Sequence, residues 1–128
     1  MAVAAGATIL LADDEASACA LIESALAAAG YKVLTATSGY QALHVFDKRS
    51  ADVELAIVDM SMPYPGGSEL IGALQARLSS LKCLCITAFA VDAELGLPLL
   101  RKPFTRKDLL QAVRDVLVDR HTPVMASR

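Results

Sequence analysis

The sequence predicts an α/β fold in which five parallel strands alternate with helices. Short apolar runs rich in Leu, Ile and Val recur along the chain and stop abruptly at acidic or turn-forming residues. Between these runs, apolar residues repeat every three or four positions, as they do on one face of a helix. Strands that alternate with helices form a parallel sheet that is covered on both faces. With 128 residues, 55% of them hydrophobic, the chain can bury one such core.

The strands are predicted from short apolar runs of the kind found in fully buried strands. The clearest run, Leu55-Ala56-Ile57-Val58, ends at Asp59 and precedes a Pro- and Gly-rich segment that forces a loop. The three residues before this strand, 52–54, are predicted to form a loop. The five predicted strands cover residues 8–12, 32–36, 55–59, 82–87 and 98–101.

Four helices are predicted, ending near residues 29, 49, 78 and 119. Gly30 is a natural C-cap for the first helix, Thr37 or Ser38 can cap the start of the second, and Thr105 can cap the last. A weaker helix is expected between the fourth and fifth strands. The buried face of the first helix is predicted to carry Cys19, Ile22, Leu26 and Ala29.

The connections between these elements limit the topology, because crossovers between parallel strands are right-handed. A flavodoxin-like sheet with strand order 2-1-3-4-5 is the economical choice, and it places strands one and three side by side. Asp13 and Asp14 follow the first strand, and Asp59 ends the third. Ligands of open α/β sheets bind at the carboxyl ends of the strands, so we expect these three carboxylates to meet in one crevice.

The residues expected in this crevice are suited to phosphoryl transfer. Three close carboxylates repel one another unless a cation offsets their charge, and an all-oxygen ligand set favours Mg²⁺. Thr87 and Lys102 end strands four and five, where they offer a hydroxyl and an ammonium group. Asp59 is the central carboxylate and the candidate nucleophile for an aspartyl phosphate, whereas Asp13 and Asp14 are better placed as metal ligands.

Each of these residues also has an ordinary structural interpretation. Asp59 could merely start a loop, and Asp13 and Asp14 could cap the first helix. Thr87 could simply end a strand, and Lys102 could be a solvated loop residue. The functional interpretation is favoured when the five residues are considered together, because all five are expected at the same edge of the sheet.

Four sequence blocks at strand ends resemble the receiver domain of two-component response regulators. The blocks are Leu11-Ala12-Asp13-Asp14-Glu15, Val58-Asp59-Met60-Ser61-Met62-Pro63, Ile86-Thr87-Ala88 and Arg101-Lys102-Pro103-Phe104. Each block alone is a weak signal, but four in order, each at a strand end, are highly specific. The resemblance spans residues 8–119.

The resemblance implies a phosphoacceptor that works with a metal ion. Asp59 would accept a phosphoryl group from a phosphohistidine of a sensor histidine kinase or a histidine phosphotransfer protein. Asp13, Asp14, Asp59 and the backbone carbonyl of Ser61 would hold Mg²⁺. The domain would signal through contacts with a downstream protein partner. It would have no enzymatic activity beyond self-catalysed phosphotransfer and autodephosphorylation.

The resemblance also assigns roles at the ends of the last two strands. Thr87 and Lys102 would contact the phosphoryl oxygens, and the Lys102–Pro103 peptide bond would be cis. The chain departs from the family at Leu99, where receivers usually carry Tyr or Phe. The segment between Thr87 and Lys102 is short by about two helical turns, which leaves residues 89–96 for a shortened or irregular fourth helix. We therefore expect phosphorylation to act by ordering residues 88–96, which hydrogen exchange with beryllofluoride would test.

Two alternative functions stay open at this point. A non-phosphorylated pseudo-receiver would serve only as an interaction module, and the complete acid set argues against it. A Mg²⁺-dependent aspartyl-phosphate phosphohydrolase usually has a second acid two residues after the nucleophile, a position that Ser61 occupies here. The sequence leaves open the cognate kinase, the oligomeric state, and whether the domain stands alone or belongs to a hybrid histidine kinase.

Composition and charge argue against several other classes. The net charge is -2 and no basic run occurs, which argues against a nucleic-acid partner. No apolar run is long enough to span a membrane, and residues 1–7 lack the basic region of a signal peptide, so we expect a cytoplasmic protein. The three cysteines are expected to be buried free thiols. We expect one receiver domain at 8–120 between an N-terminal tail, 1–7, and a C-terminal tail, 121–128.

Overall fold

A five-stranded parallel sheet forms the middle layer of the protein. The structure, a computed structural model, describes residues 6–63, 65–88 and 96–118. The strands are β1 (Thr8–Ala12), β2 (Lys32–Ala36), β3 (Val53–Asp59), β4 (Lys82–Thr87) and β5 (Leu99–Arg101). They lie in the order β2-β1-β3-β4-β5, and every neighbouring pair is parallel. The predicted flavodoxin-like topology is therefore confirmed.

Four helices lie in the described ranges, and two of them begin at side-chain caps that the sequence predicted. They are α1 (Ala16–Ala28), α2 (Gly39–Arg49), α3 (Gly67–Arg77) and α4 (Arg106–Val118). Of the two predicted candidates, Ser38 caps α2, because its hydroxyl accepts a hydrogen bond from the Gln41 N–H at 3.0 Å. Thr105 accepts the Asp108 N–H in the same way at the start of α4. The predicted weak helix between β4 and β5 falls on residues 89–96, of which 89–95 lie outside the described residues.

The start of β3 differs from the prediction. The strand begins at Val53, so the loop predicted immediately before Leu55 is wrong. Thr8 pairs with Val53 and Ile9 pairs with Leu55, which leaves Glu54 as an extra, exposed residue at a bulge. The charge of Glu54 interrupts the apolar pattern and hides the true start of the strand.

Two smaller boundaries also differ. Ala29 was predicted on the buried face of the first helix, but it is the exposed C-cap, and Ala25 is buried instead. Gly30, predicted as the C-cap, is the next residue, and the chain turns away there with a φ of 101° that only glycine readily adopts. β5 begins at Leu99, one residue after Pro98, because proline has no N–H to give to a sheet.

Each face of the sheet carries its own apolar layer. Helices α1 and α4 cover one face, and α2 and α3 cover the other. Successive strand residues alternate between the layers: Leu84 packs in the first, and Cys83 and Cys85 pack in the second. All three cysteines are buried thiols, as predicted. The two layers hold the strands in fixed register, so residues at the strand ends have defined positions.

Two glycines of α3 have opposite surroundings, which gives a matched pair of substitutions. A Cβ atom on Gly67 would lie 2.7 Å from Met60 Cα and 3.2 Å from the Asp59 carbonyl oxygen, whereas one on Gly72 would meet nothing within 4 Å. We expect Gly67→Ala to destabilise the domain by about 1–3 kcal/mol, because backbone atoms must move. Gly72→Ala should stabilise it by about 0.5–1 kcal/mol. Urea unfolding of both variants measures the difference, and equal effects would contradict the close packing at Gly67.

Candidate functional site

Four strand ends bring the predicted site residues to the same edge of the sheet. Asp13 follows β1, Asp59 ends β3, Thr87 ends β4 and Lys102 follows β5. The Lys102 backbone N–H donates a hydrogen bond to the Thr87 carbonyl oxygen at 2.8 Å, and the Lys102–Pro103 bond is cis, as predicted. Asp13, Asp59 and Thr87 are buried, and Lys102 is half-buried. The edge of the sheet therefore presents two acids, a hydroxyl and a cation in one place.

Three aspartates form a carboxylate cluster at this edge. One oxygen from each of Asp13, Asp14 and Asp59 lies within 4.8 Å of the other two. Asp14 is exposed to solvent, whereas Asp13 and Asp59 are only 0% and 2% exposed. Negative charges this close repel one another, and the repulsion is stronger where water is excluded. The cluster therefore favours a bound cation.

Asp59 is held through both of its carboxylate oxygens. Oδ1 accepts hydrogen bonds from the Ser61 backbone N–H at 2.9 Å and from the Ser61 hydroxyl at 2.7 Å. Oδ2 forms an ion pair with the Lys102 ammonium group, whose nitrogen lies 3.4 Å away. Burial raises the pKa of Asp59, but the hydrogen bonds from Ser61 and the charge of Lys102 outweigh burial and lower it below its ordinary value. Asp59 is therefore ionised at neutral pH, as a nucleophilic carboxylate must be.

Asp13 has one oxygen with a donor and one without. Its Oδ1 accepts the Glu15 backbone N–H at 2.9 Å. Its Oδ2 is buried and has no hydrogen-bond partner among the described residues. Burial raises the pKa of Asp13 to about 6, and the nearby charge of Asp59 contributes to the rise. A buried acceptor without a donor is unfavourable, so a cation bound at Oδ2 would remove an unfavourable feature of the fold.

This donor set fits a hard divalent cation. Mg²⁺ prefers oxygen ligands, takes one or two carboxylates directly and keeps several of its waters. The unpartnered Oδ2 of Asp13 is available to such an ion. Asp14 is exposed, so the ion could keep water ligands on that side of the cluster. The role of the Ser61 carbonyl as a further ligand stays a prediction.

Two features of the site were not predicted from the sequence. The Ser61 hydroxyl contacts Asp59, although only the Ser61 carbonyl had been given a role. A serine two residues after an aspartate was the available signal, because short polar side chains often bond to groups two residues away. The second feature is a groove of about 560 Å³ beside Lys102. It lies between α1 and the segment after β5, and its lining includes Leu21, Ile22, Pro103, Phe104 and Arg106.

Comparisons with known proteins place the chain in a family. Residues 9–114 match the family model of the response regulator receiver domain. The chain is 31% identical over 118 residues to the sensor kinase CckA of Brucella abortus (strain 2308), a match that covers 87% of this chain and 12% of that protein. It resembles the solved chemotaxis protein CheY4 of Vibrio cholerae, with a TM-score of 0.80, 29% identity, and 88% and 99% of the two chains covered. It also resembles the response regulator TrrA of Thermotoga maritima in complex with Mg²⁺ and BeF, with a TM-score of 0.76, 27% identity, and 86% and 98% covered.

The chain therefore belongs to the response regulator receiver domain family. The membership confirms the predicted class of function, a phosphoacceptor receiver domain of two-component signalling. Receiver domains are generally non-enzymatic signalling modules, and they interact with kinases, phosphotransfer proteins and other partners. The chain spans only 12% of the CckA sensor kinase that it matches. Within the ranges that the structure covers, no helix has the length and hydrophobicity needed to cross a membrane.

Proposed function

We propose that Asp59 accepts a phosphoryl group from a phosphohistidine of a sensor histidine kinase or a histidine phosphotransfer protein. The observation that carries the proposal is the ion pair of the buried Asp59 with Lys102, at 3.4 Å, beside two further carboxylates. One Asp59 oxygen attacks the phosphorus atom, and a P–O bond forms. The P–N bond to the donor histidine breaks, and the imidazole leaves with its electron pair. Water later hydrolyses the aspartyl phosphate, which releases phosphate and restores the carboxylate.

The other residues at the carboxyl ends of the strands prepare the site for phosphoryl transfer. Asp13, Asp14, Asp59 and the Ser61 carbonyl would hold Mg²⁺, which neutralises charge on the phosphoryl oxygens when it is bound. The unpartnered Oδ2 of Asp13 supports this ligand set. The solved complex of TrrA with Mg²⁺ and BeF, from a relative with 27% identity, supports Mg²⁺ as the ion.

Lys102 and Thr87 are proposed to contact the phosphoryl oxygens. The Lys102 ammonium group already lies beside Asp59 Oδ2, so it can contact the negatively charged oxygens of a phosphoryl group attached to that atom. The main-chain bond between Lys102 and Thr87, at 2.8 Å, keeps the ends of β4 and β5 together. Both side chains would therefore act on one group.

The direct test is phosphorylation by a small donor. The protein is incubated with acetyl phosphate and Mg²⁺, and intact-mass measurement and peptide mapping follow the label. We expect one phosphoryl group per chain, located on Asp59, and a much lower yield when EDTA removes Mg²⁺. A label located on another residue, or an equal yield with EDTA, would contradict the proposal.

The metal site makes a separate prediction about stability. Bound ligand stabilises a fold by about 2.7 kcal/mol at a concentration one hundred times the dissociation constant. We expect Asp13→Asn to lose this gain and to be more stable than the wild type in EDTA by about 1–2 kcal/mol, because an amide removes a buried charge. Asp14→Ala should also weaken Mg²⁺ binding, with less effect on stability in EDTA, because Asp14 is exposed.

Urea unfolding with and without Mg²⁺ measures both effects. Asp115→Asn is the matched control, since Asp115 is an exposed aspartate near the C-terminal end of α4, away from the strand ends that carry the site. The wild-type gain from Mg²⁺ should persist in this control. An undiminished gain in Asp13→Asn would remove Asp13 from the ligand set, and the same result in Asp14→Ala would remove Asp14.

The groove beside Lys102 is proposed to receive the phosphohistidine donor. A protein donor must bring its imidazole close to Asp59, so its surface has to rest beside the site. The groove offers an apolar wall that ends at Lys102, and Leu21 on this wall is 73% exposed. An exposed apolar residue that borders an apolar groove enlarges the apolar patch, and contiguous apolar patches mark interaction sites. We propose that an apolar face of the donor covers Leu21 during transfer.

A further inference from the structure

We propose that the Ser61 hydroxyl stabilises the unphosphorylated carboxylate of Asp59, so that it slows phosphorylation and competes with a cation for Oδ1. The inference rests on the proposed function, because it concerns the same carboxylate. Its basis is that Asp59 Oδ1 accepts two hydrogen bonds from one residue. The Ser61 backbone N–H lies at 2.9 Å and the Ser61 hydroxyl at 2.7 Å.

These two bonds use the full accepting capacity of Oδ1. A carboxylate oxygen has about two lone-pair positions, and Ser61 fills both of them. Oδ1 can therefore neither bind a cation nor attack a phosphorus atom until one of the two bonds is given up. Oδ2 is already engaged with Lys102. The resting carboxylate is thus bound on both oxygens.

The hydroxyl is the donor that can leave. The Ser61 N–H is part of the turn after β3, which is closed by a hydrogen bond from the Met62 N–H to the Asp59 carbonyl oxygen at 3.3 Å. The buried Met62 side chain further fixes this turn. The Ser61 side chain, in contrast, is exposed and can rotate about its Cα–Cβ bond toward water. Rotation of one bond therefore frees a lone pair of Asp59 without moving the backbone.

The same contact favours the unphosphorylated carboxylate. A hydrogen bond to a charged oxygen is stronger than one to a neutral oxygen. When Asp59 forms a P–O bond, its carboxylate charge disappears, and the bond from the hydroxyl weakens whichever oxygen has reacted. The hydroxyl therefore stabilises the reactant more than the product. Ser61 acts as a positioning residue that slows phosphorylation of Asp59 and competes with a cation for Oδ1.

The test compares Ser61→Ala, which removes the hydroxyl, with Ser61→Thr, which keeps it. The probe is acetyl phosphate, whose phosphorus atom is attacked by Asp59 while acetate leaves with the electron pair of the broken P–O bond. We expect Ser61→Ala to be labelled about threefold to tenfold faster than the wild type, because the lost bond was partly exchangeable with water. Ser61→Thr should return to the wild-type rate. Ser68→Ala, which removes an exposed hydroxyl from the first turn of α3, should leave the rate unchanged.

A second measurement does not depend on phosphorylation. Calorimetric titration with Mg²⁺ alone should show tighter binding to Ser61→Ala, by a similar factor, because Oδ1 no longer has to release the hydroxyl. If the wild type is labelled on Asp59 but Ser61→Ala is labelled at the same rate or more slowly, the inference is overturned and the proposed function stands. If the wild type takes no label, the proposed function fails. In that case the Mg²⁺ titration still tests the inference, and an unchanged Mg²⁺ affinity of Ser61→Ala would overturn it.

Discussion

Asp59→Asn should lower the rate of labelling by acetyl phosphate by at least about a thousandfold, because a neutral amide is a far poorer nucleophile than a carboxylate. The substitution preserves the shape of the side chain, and the amide oxygen can still accept the Ser61 N–H. Lys102 loses its ion pair, but Lys102 is half-buried and can turn toward water. The fold should therefore survive, and circular dichroism can verify this before the labelling experiment.

The same experiment separates the acceptor from its acidic neighbours. Asp13→Asn and Asp14→Ala should be labelled slowly, because they weaken the metal site but leave the nucleophile in place. Asp115→Asn should be labelled like the wild type. Peptide mapping identifies the labelled residue in each variant. Stoichiometric labelling of Asp59→Asn under the same conditions would show that another residue is the acceptor.

Leu21→Glu should lower the rate of phosphotransfer from a protein donor by about tenfold or more, because a charged group would replace the apolar contact proposed with the donor. Leu21 is 73% exposed, so its substitution should change the free energy of unfolding by no more than about 0.5 kcal/mol. Labelling by acetyl phosphate should be preserved, since a small donor does not need the groove. The effect is therefore expected on the binding of the partner rather than on the chemistry of Asp59.

The donor for this experiment is chosen by profiling the histidine kinases of the source organism against the wild type. Val118→Glu is a matched control, because Val118 is also a large exposed apolar residue, 54% exposed, at the far end of α4. It should transfer at the wild-type rate. Equal losses in the two variants would point to a general effect of added negative charge. An unchanged rate in Leu21→Glu would remove the groove from the docking surface.

Most of the fold could be predicted because its signals are local. The strand at Lys82–Thr87 is an uninterrupted apolar run with polar ends, and its bounds agree with the structure. The prediction of where β3 starts was wrong because Glu54 is a charged residue inside a strand. Only the pairing of β1 with β3 reveals the bulge that accommodates Glu54. Patterns of hydrophobicity report burial, whereas a bulge depends on a partner strand that is distant in the chain.

The candidate site also has features that the sequence could predict and features that it could not. The strand order brings the ends of β1 and β3 together, so the meeting of Asp13 with Asp59 could be expected from topology alone. The hydroxyl contact of Ser61 depends on the direction of one rotatable bond, which no spacing rule fixes. The groove beside Lys102 depends on how closely α1 approaches the chain after Pro103, and this distance is set by packing. The expected ordering of residues 88–96 stays a prediction, since 89–95 lie outside the described residues.

The central position of β3 has a mechanical consequence. The strand is hydrogen-bonded to β1 along one side and to β4 along the other, and its pairing with β4 extends to Asp59 itself. Any translation of this strand would break two ladders of hydrogen bonds at once and disturb both apolar layers. We therefore expect the acceptor to remain stationary when its charge changes, so that any motion is confined to the segments that follow the strand ends. On this view, a signal would leave such a domain through rearranged loops around a point that does not move.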